Sequence, residues 1–283
     1  MSSLRGRGAR STTQWRFAVA LSATTALCGC GGSEPVAAAP PPPVSSPPQS
    51  RVQPAKPETS AALPPLDSKD KPDMPPPGSS LDRVMRAHFK DALLIRQAVI
   101  AGTPEQAANP ATVLALIDNL DDLPPGWRES VGHMQQIARR ITDSTSSAQA
   151  AAATADLGVA CGQCHSQQGG PAVSSEPPPA EGTSVEQRMR RHAWATDRLW
   201  EGLVVPSSEA WNAGSKALVE APFPPEVLQR GGLHARSAAS DFKKLVAQAP
   251  SKKTAEERAA LYAELLMTCG TCHRAKQEAG MKL

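Results

Sequence analysis

Aromatic residues are scarce in this chain, which has one tyrosine and four phenylalanines among its 283 residues. A large aromatic core is therefore not expected, and a cofactor could supply the missing apolar bulk. After residue 80, no segment alternates apolar and polar residues as strands do. The sequence also shows no pair of carboxylates placed for acid–base catalysis, and no nucleophilic side chain paired with a general base. We therefore expect an all-α protein that is not an enzyme.

The chain also lacks an excess of charge of one sign. Its formal net charge of +3 comes from 30 basic and 27 acidic residues. Four of the basic residues are Arg5, Arg7, Arg10 and Arg16, in a segment that we expect to be removed. Without these four, 26 basic residues face 27 acidic ones, a balance of about −1. We therefore expect neither nucleic acid nor an anionic membrane surface as a partner.

Residues 1–30 have the pattern of an export signal. Their apolar run, 17–27, is too short to span a bilayer, which takes about 20 apolar residues. Residues 27–31 read LCGCG and resemble a bacterial lipobox. Cys30, preceded by a small residue, is the predicted lipidation site, and Cys28 fits the pattern less well. The alternative is an ordinary cleavage site with two incidental cysteines. We expect an exported protein, anchored by lipid on the periplasmic side of a bacterial membrane.

Two linkers divide the rest of the chain. Residues 31–80 contain 15 prolines in 50 positions, a composition that predicts a disordered, extended linker. Residues 169–183 form a shorter linker with three consecutive prolines. The segments 81–168 and 184–283 remain, and we predict that each is a helical domain.

These two segments repeat the same landmarks in the same order. Each opens with a methionine and a histidine three residues apart, has a second histidine in its middle, and ends in Cys-x-x-Cys-His. In the first segment the residues are Met85, His88, His133, Cys161, Cys164 and His165. In the second they are Met189, His192, His234, Cys269, Cys272 and His273. Duplication explains this order better than chance does.

The apolar residues of both segments recur at helical spacing. The pattern predicts helices over about 81–99, 110–120, 127–141 and 226–246, with Asn109 as the N-cap of the second. Thr254 and Glu257 form a predicted capping box. Four helices in each segment indicate two tandem four-helix bundles, each ending in a Cys-x-x-Cys-His motif.

Cys-x-x-Cys-His is the attachment signature of haem c. Two thiols one helical turn apart add to the two vinyl groups of the porphyrin, and the next residue binds the iron from the proximal side. We therefore predict two covalent haems. Cys161, Cys164, Cys269 and Cys272 would attach them, and His165 and His273 would be the proximal ligands.

Other uses of the cysteines leave the motif histidines without a role. A zinc ion could be held by four thiolates, but the two repeats would then share one metal. A thioredoxin-like redox pair would need strands nearby. A disulfide within each motif is possible outside the cytoplasm.

The position of each motif at the end of its repeat resembles the class II cytochromes c, the cytochrome c′ and c-556 type. The resemblance covers residues of about 81–168 and 184–276. It implies four-helix bundles with the motif on the last helix and the distal side of the haem facing the first helix. This chain departs from the single-domain members because it is duplicated and tethered.

The resemblance makes His88 and His192, in the apolar stripe of the first helix, the candidate distal iron ligands. Met85 and Met189 share that helix face and are the alternatives. His133 and His234 lie beside the stripe of their helix and are predicted to be flanking groups.

The expected function is single-electron transfer between other periplasmic or membrane-bound redox proteins. The linker would let the two haem-binding domains move between redox partners, while the lipid confines them to a membrane surface. One alternative is a haem with an open distal site that binds a small gas or handles peroxide. A third possibility is a structural or assembly subunit whose haems are secondary.

Overall fold

The described part of the chain is helical. The computed structural model describes residues 79–117, 123, 126–230, 232–278 and 280, and no strand occurs among them. The expected all-α class is confirmed. The predicted signal segment, Cys30 and the linker up to residue 78 lie outside the described residues. None of the described helices has the length and apolar character that crossing a bilayer requires.

Nine α-helices follow one another along the described residues. They are α1 Ser80–Ala101, α2 Ala108–Ala115, α3 Trp127–Thr142, α4 Ser147–Gln168, α5 Val185–Val204, α6 Ser208–Glu220, α7 Pro225–Arg230, α8 Gly232–Gln248 and α9 Ala255–Glu278. The first repeat contributes α1–α4 and the second repeat α5–α9.

Capping explains where several of these helices begin. The Ser79 hydroxyl accepts a hydrogen bond from the Asp82 amide at the start of α1. The predicted capping box before α9 is confirmed. There, the Glu257 amide donates to the Thr254 hydroxyl at 3.2 Å, and the Thr254 amide donates to the Glu257 carboxylate at 3.1 Å. Ser184 and Gln187 form a second capping box at α5.

Two predicted helix boundaries are wrong. Asn109 is not the N-cap of α2, because the 3₁₀ turn Pro104–Ala107 leads directly into the helix and places Asn109 inside its first turn. The single helix predicted over 226–246 is divided into α7 and α8. Gly232, at the start of α8, has a φ of 66°, a left-handed conformation that suits glycine and interrupts a regular helix.

The two repeats share one hydrophobic core. Within each repeat, consecutive long helices are neighbours, from α1 to α4 and from α5 through α6 and α8 to α9. Between the repeats, α4 packs against α9, and each also packs against the first helix of the other repeat. The resulting core includes Ile95 and Leu157 from the first repeat and Leu199 and Leu265 from the second.

A glycine in each cysteine motif allows this close packing. A Cβ on Gly270 of α9 would lie 2.7 Å from the Val99 carbonyl oxygen of α1. A Cβ on Gly162 of α4 would meet the Leu203 carbonyl oxygen of α5. Val99 and Leu203 are equivalent, since each stands eleven residues after the histidine of its first helix. Each repeat therefore packs on the other through contacts at equivalent positions.

The linker between the repeats has no regular secondary structure and lies along α5. Three side chains of α5 donate hydrogen bonds to its backbone carbonyls. Arg198 binds Ser174 at 2.7 Å, Trp194 binds Glu176 at 3.2 Å and Arg191 binds Pro179 at 3.1 Å. The segment predicted as a linker is thus fastened to the second repeat.

Candidate functional site

The first cysteine motif lies on the last two turns of α4 and faces a cavity. We call Cys161, Cys164 and His165 the first site. The cavity has a volume of about 80 Å³, below the range of about 300–1,000 Å³ that is typical of ligand pockets, and it is partly open to solvent. It is lined by residues of α1, α3, α4 and α5: Met85, His88, Phe89, Ala92, Trp127, Ser130, Val131, Met134, Ala160, Cys161, Cys164, His165, Trp200 and Val204.

The His165 ring is held by the other repeat. Its Nδ1 lies 2.7 Å from the Val204 carbonyl oxygen of α5, so Nδ1–H is the donor. This hydrogen bond leaves Nε2 without a proton, which is the state a metal ligand needs. Burial lowers the pKa of His165 and outweighs the opposite effect of that hydrogen bond, which keeps the ring neutral. Gly170 of the linker packs against the same side chain.

The candidate distal ligands of the first repeat reach the same cavity. Met85 and His88 line it from α1, together with Cys161, Cys164 and His165. Burial lowers the pKa of His88, with Asp91 acting in the opposite direction, and the neutral imidazole is the ligating form. His133 of α3 does not line the cavity, but its neighbour Met134 does.

The motif thiols are protonated at neutral pH. Burial, together with the neighbouring Cys164, raises the pKa of Cys161 to about 12. Burial also raises the pKa of Cys164, partly offset by the Ser130 hydroxyl. All four motif cysteines are free. Among the residues that the structure describes, no three or more His, Cys, Asp or Glu side chains are grouped to hold a metal ion, so the two motifs do not meet in a four-thiolate site.

Buried hydrogen-bond donors beside the cavity have no partner within the described protein. The indole nitrogens of Trp127 and Trp200 are buried and unpaired, and so is the side-chain amide of Gln168. A buried donor without an acceptor costs about 1–3 kcal/mol, and a haem has two propionate carboxylates that accept hydrogen bonds. The apolar lining, the two thiols and the free Nε2 of His165 also fit a haem, although the cavity of about 80 Å³ must widen to hold one.

The second motif has different surroundings. We call Cys269, Cys272 and His273, on α9, the second site. Cys272 packs against Ala235 and Ala238 of α8. Burial raises the pKa of Cys269 to about 12 and lowers that of His273, where Lys276 acts in the same direction.

His192 is held by a hydrogen bond in the second repeat. Its Nε2 donates to the Ala221 carbonyl oxygen. The ring meets Phe223 edge-on at a centroid distance of 4.8 Å and stacks on Phe242 at 5.3 Å. Met189 is half-buried on the same helix, and His234 is exposed. The two distal candidates therefore differ: His88 opens onto a cavity, whereas His192 is bound to a backbone carbonyl.

Four residues that line the cavity of the first site were not predicted to belong to it: Trp127, Met134, Trp200 and Val204. Met134 and Trp127 belong to a predicted helix, and their inward spacing on α3 could have indicated them. Trp200 and Val204 come from the other repeat, and no local pattern predicts a contact across repeats.

In the described helices, each cysteine motif lies on the last long helix of its repeat. Comparisons with protein-family models, with curated proteins and with solved structures found no match for this chain.

Proposed function

We propose that this protein is a dihaem c-type cytochrome that carries single electrons between extracytoplasmic redox partners. One observation supports this most strongly. Cys161, Cys164 and His165 line a single cavity together with Met85 and His88, and Nδ1 of His165 is fixed by the Val204 carbonyl. Haem attachment needs this combination of two thiols, a proximal imidazole and an adjoining space.

The protein's own groups would position and protect the cofactor. Bound haem would supply reversible one-electron exchange at its iron. Cys161 and Cys164 would fix the porphyrin to α4, and the Val204 carbonyl would hold the His165 imidazole in one orientation and tautomer. The apolar side chains around them would exclude water, which favours a small reorganisation on electron transfer.

A gas-binding or peroxide-handling haem is the second candidate, and it concerns the second site. With Nε2 donating to the Ala221 carbonyl, only Nδ1 of His192 is left to bind an iron. If neither that nitrogen nor Met189 ligates, the second haem has an open distal position. High-spin five-coordinate haem would then appear in the absorption spectrum, whereas a carrier with two filled sites is fully low-spin.

The distal ligand of the first haem is testable by substitution. We expect His88→Ala to convert one of the two haems from low spin to high spin, because the imidazole is the sixth ligand. Met85→Ala, one helical turn away on the same cavity wall, is the matched control and should leave both spectra unchanged. The reverse result, with Met85→Ala high-spin and His88→Ala low-spin, would make methionine the ligand. For the second haem, we expect His192→Ala to convert the iron from low spin to high spin. Met189→Ala should leave its spin state unchanged.

Localisation is a separate prediction. Cys30 should carry lipid, and the mature chain should fractionate with membranes through the linker 31–80. Cys30→Ala should release a soluble form or leave an uncleaved precursor, while Cys28→Ala should retain a membrane-bound product. Mass spectrometry of the mature N-terminus checks this, and an unmodified N-terminus at another residue would contradict it.

A further inference from the structure

A group of polar and aromatic side chains lies where α1, α5 and α9 meet. We call Arg96, Thr196, Asp197, Trp200 and Tyr262 the junction cluster. Arg96 and Trp200 are equivalent residues of the two repeats, since each stands eight residues after the histidine of its first helix. They are 3% and 2% exposed, and the Arg96 guanidinium lies 6.0 Å from the Trp200 ring centroid.

The cluster is held by directed hydrogen bonds. Arg96 Nε donates to the Tyr262 hydroxyl at 2.7 Å, and Arg96 Nη2 donates to the Asp197 carboxylate at 2.6 Å. The Tyr262 hydroxyl donates to the Thr196 carbonyl at 3.3 Å. The Asp197 side chain is 63% exposed, so water screens its charge, whereas the Arg96 side chain is 4% exposed. The buried end of this ion pair is therefore the positive one.

The cluster reaches both sites. Trp200 lines the cavity of the first site and packs against Tyr262 at a centroid distance of 6.0 Å. Tyr262 stands seven residues before Cys269 on α9, which places the two on one helix face. The Arg96 charge also acts on Cys269, whose pKa it lowers against the larger rise caused by burial.

The sites therefore differ in charge at equivalent positions. Where the first site has Trp200, the second has the cation Arg96. Three residues after each motif histidine, the first site has Gln168 and the second has Lys276. A positive charge favours the reduced iron, because oxidation adds one positive charge to the centre. The hydrogen bond from His165 to Val204 increases the basicity of the first proximal ligand and favours its oxidised iron.

We propose that the junction cluster makes the two haems unequal, with the buried charge of Arg96 holding the second haem at the higher reduction potential. This inference rests on the proposed haem attachment. When the protein holds one electron, that electron resides mainly at the second site. After a donor reduces the first haem, electron transfer from the first haem to the second would thus be thermodynamically favourable.

A redox titration in single-haem backgrounds tests the proposal. Cys161→Ala with Cys164→Ala leaves the second haem, and Cys269→Ala with Cys272→Ala leaves the first. The second haem should have the higher midpoint potential. In the background that keeps it, Arg96→Leu should lower that midpoint by at least about 59 mV, a tenfold change in the one-electron equilibrium constant.

Matched variants separate the charge from the packing. Arg96→Lys keeps the charge and should retain most of the midpoint potential, even if Arg96→Leu folds poorly. Arg140→Leu removes a cation whose side chain is 57% exposed and should shift the midpoint little. A first haem with the higher potential, or an Arg96→Lys variant with as large a drop as Arg96→Leu, would overturn the inference and leave the haem proposal standing. A chain without covalent haem would overturn both.

Discussion

Replacing Cys161 and Cys164 together by alanine is expected to remove one of two covalently bound haems. The two thiols are the only cysteines among the described residues of the first repeat, so no other side chain there can form the thioether bonds. The haem content per chain should fall from two to one, measured on protein from a host that matures cytochromes c. The remaining haem should survive acid–acetone extraction.

The second motif supplies the matched control. Cys269→Ala with Cys272→Ala should also leave one haem, and all four substitutions together should leave none. The two single-haem proteins should have different spectra, because His88 faces a cavity while His192 is held by Ala221. A four-alanine variant that still carried covalent haem would show that the motifs are not the attachment sites.

Replacing Gly270 by alanine is expected to lower the free energy of unfolding by about 3 kcal/mol. The new methyl group would lie 2.7 Å from the Val99 carbonyl oxygen. That oxygen belongs to the backbone of α1 and cannot turn aside as a flexible side chain would, so two helices must separate. Gly162→Ala should have a similar effect at the Leu203 carbonyl, for the same reason. Denaturant unfolding followed by circular dichroism measures both.

Gly132 provides a control for helix propensity. It lies within α3, and a Cβ there would meet no atom within 4 Å. Gly132→Ala should therefore stabilise the protein slightly, by about 0.5–1 kcal/mol, because alanine restricts the unfolded chain and favours helix. A loss of stability with Gly270→Ala and a gain with Gly132→Ala would support close packing between the repeats. A loss of stability with Gly132→Ala as large as that with Gly270→Ala would refute it.

Local patterns in the sequence were sufficient to predict α1 and α3. The apolar spacing of 3–4 residues in α1 and α3 predicts each of them to within a few residues, and the capping box of Thr254 and Glu257 forms as expected. These features depend on neighbours in the chain. The break between α7 and α8 was missed, because two adjacent glycines within an apolar helical pattern do not by themselves determine where the chain turns.

Contacts between the repeats could not be predicted. The hydrogen bond from His165 to Val204 joins residues 39 positions apart, and the one from Arg96 to Tyr262 joins residues 166 apart. The motif signature required two variable positions and gave no reason for glycine in one of them. Only the folded packing of α4 on α5 and of α9 on α1 explains Gly162 and Gly270. The difference between His88 and His192 also depends on this packing, since their sequence surroundings are similar.

The mass of the intact mature protein tests the central claim most directly. Purified after expression with a cytochrome c maturation system, the chain should exceed the mass of its polypeptide and any lipid by two haems. Its reduced-minus-oxidised spectrum should show the bands of haem c. A polypeptide mass with no haem added, in a host that matures a known cytochrome c in parallel, would contradict the proposed function.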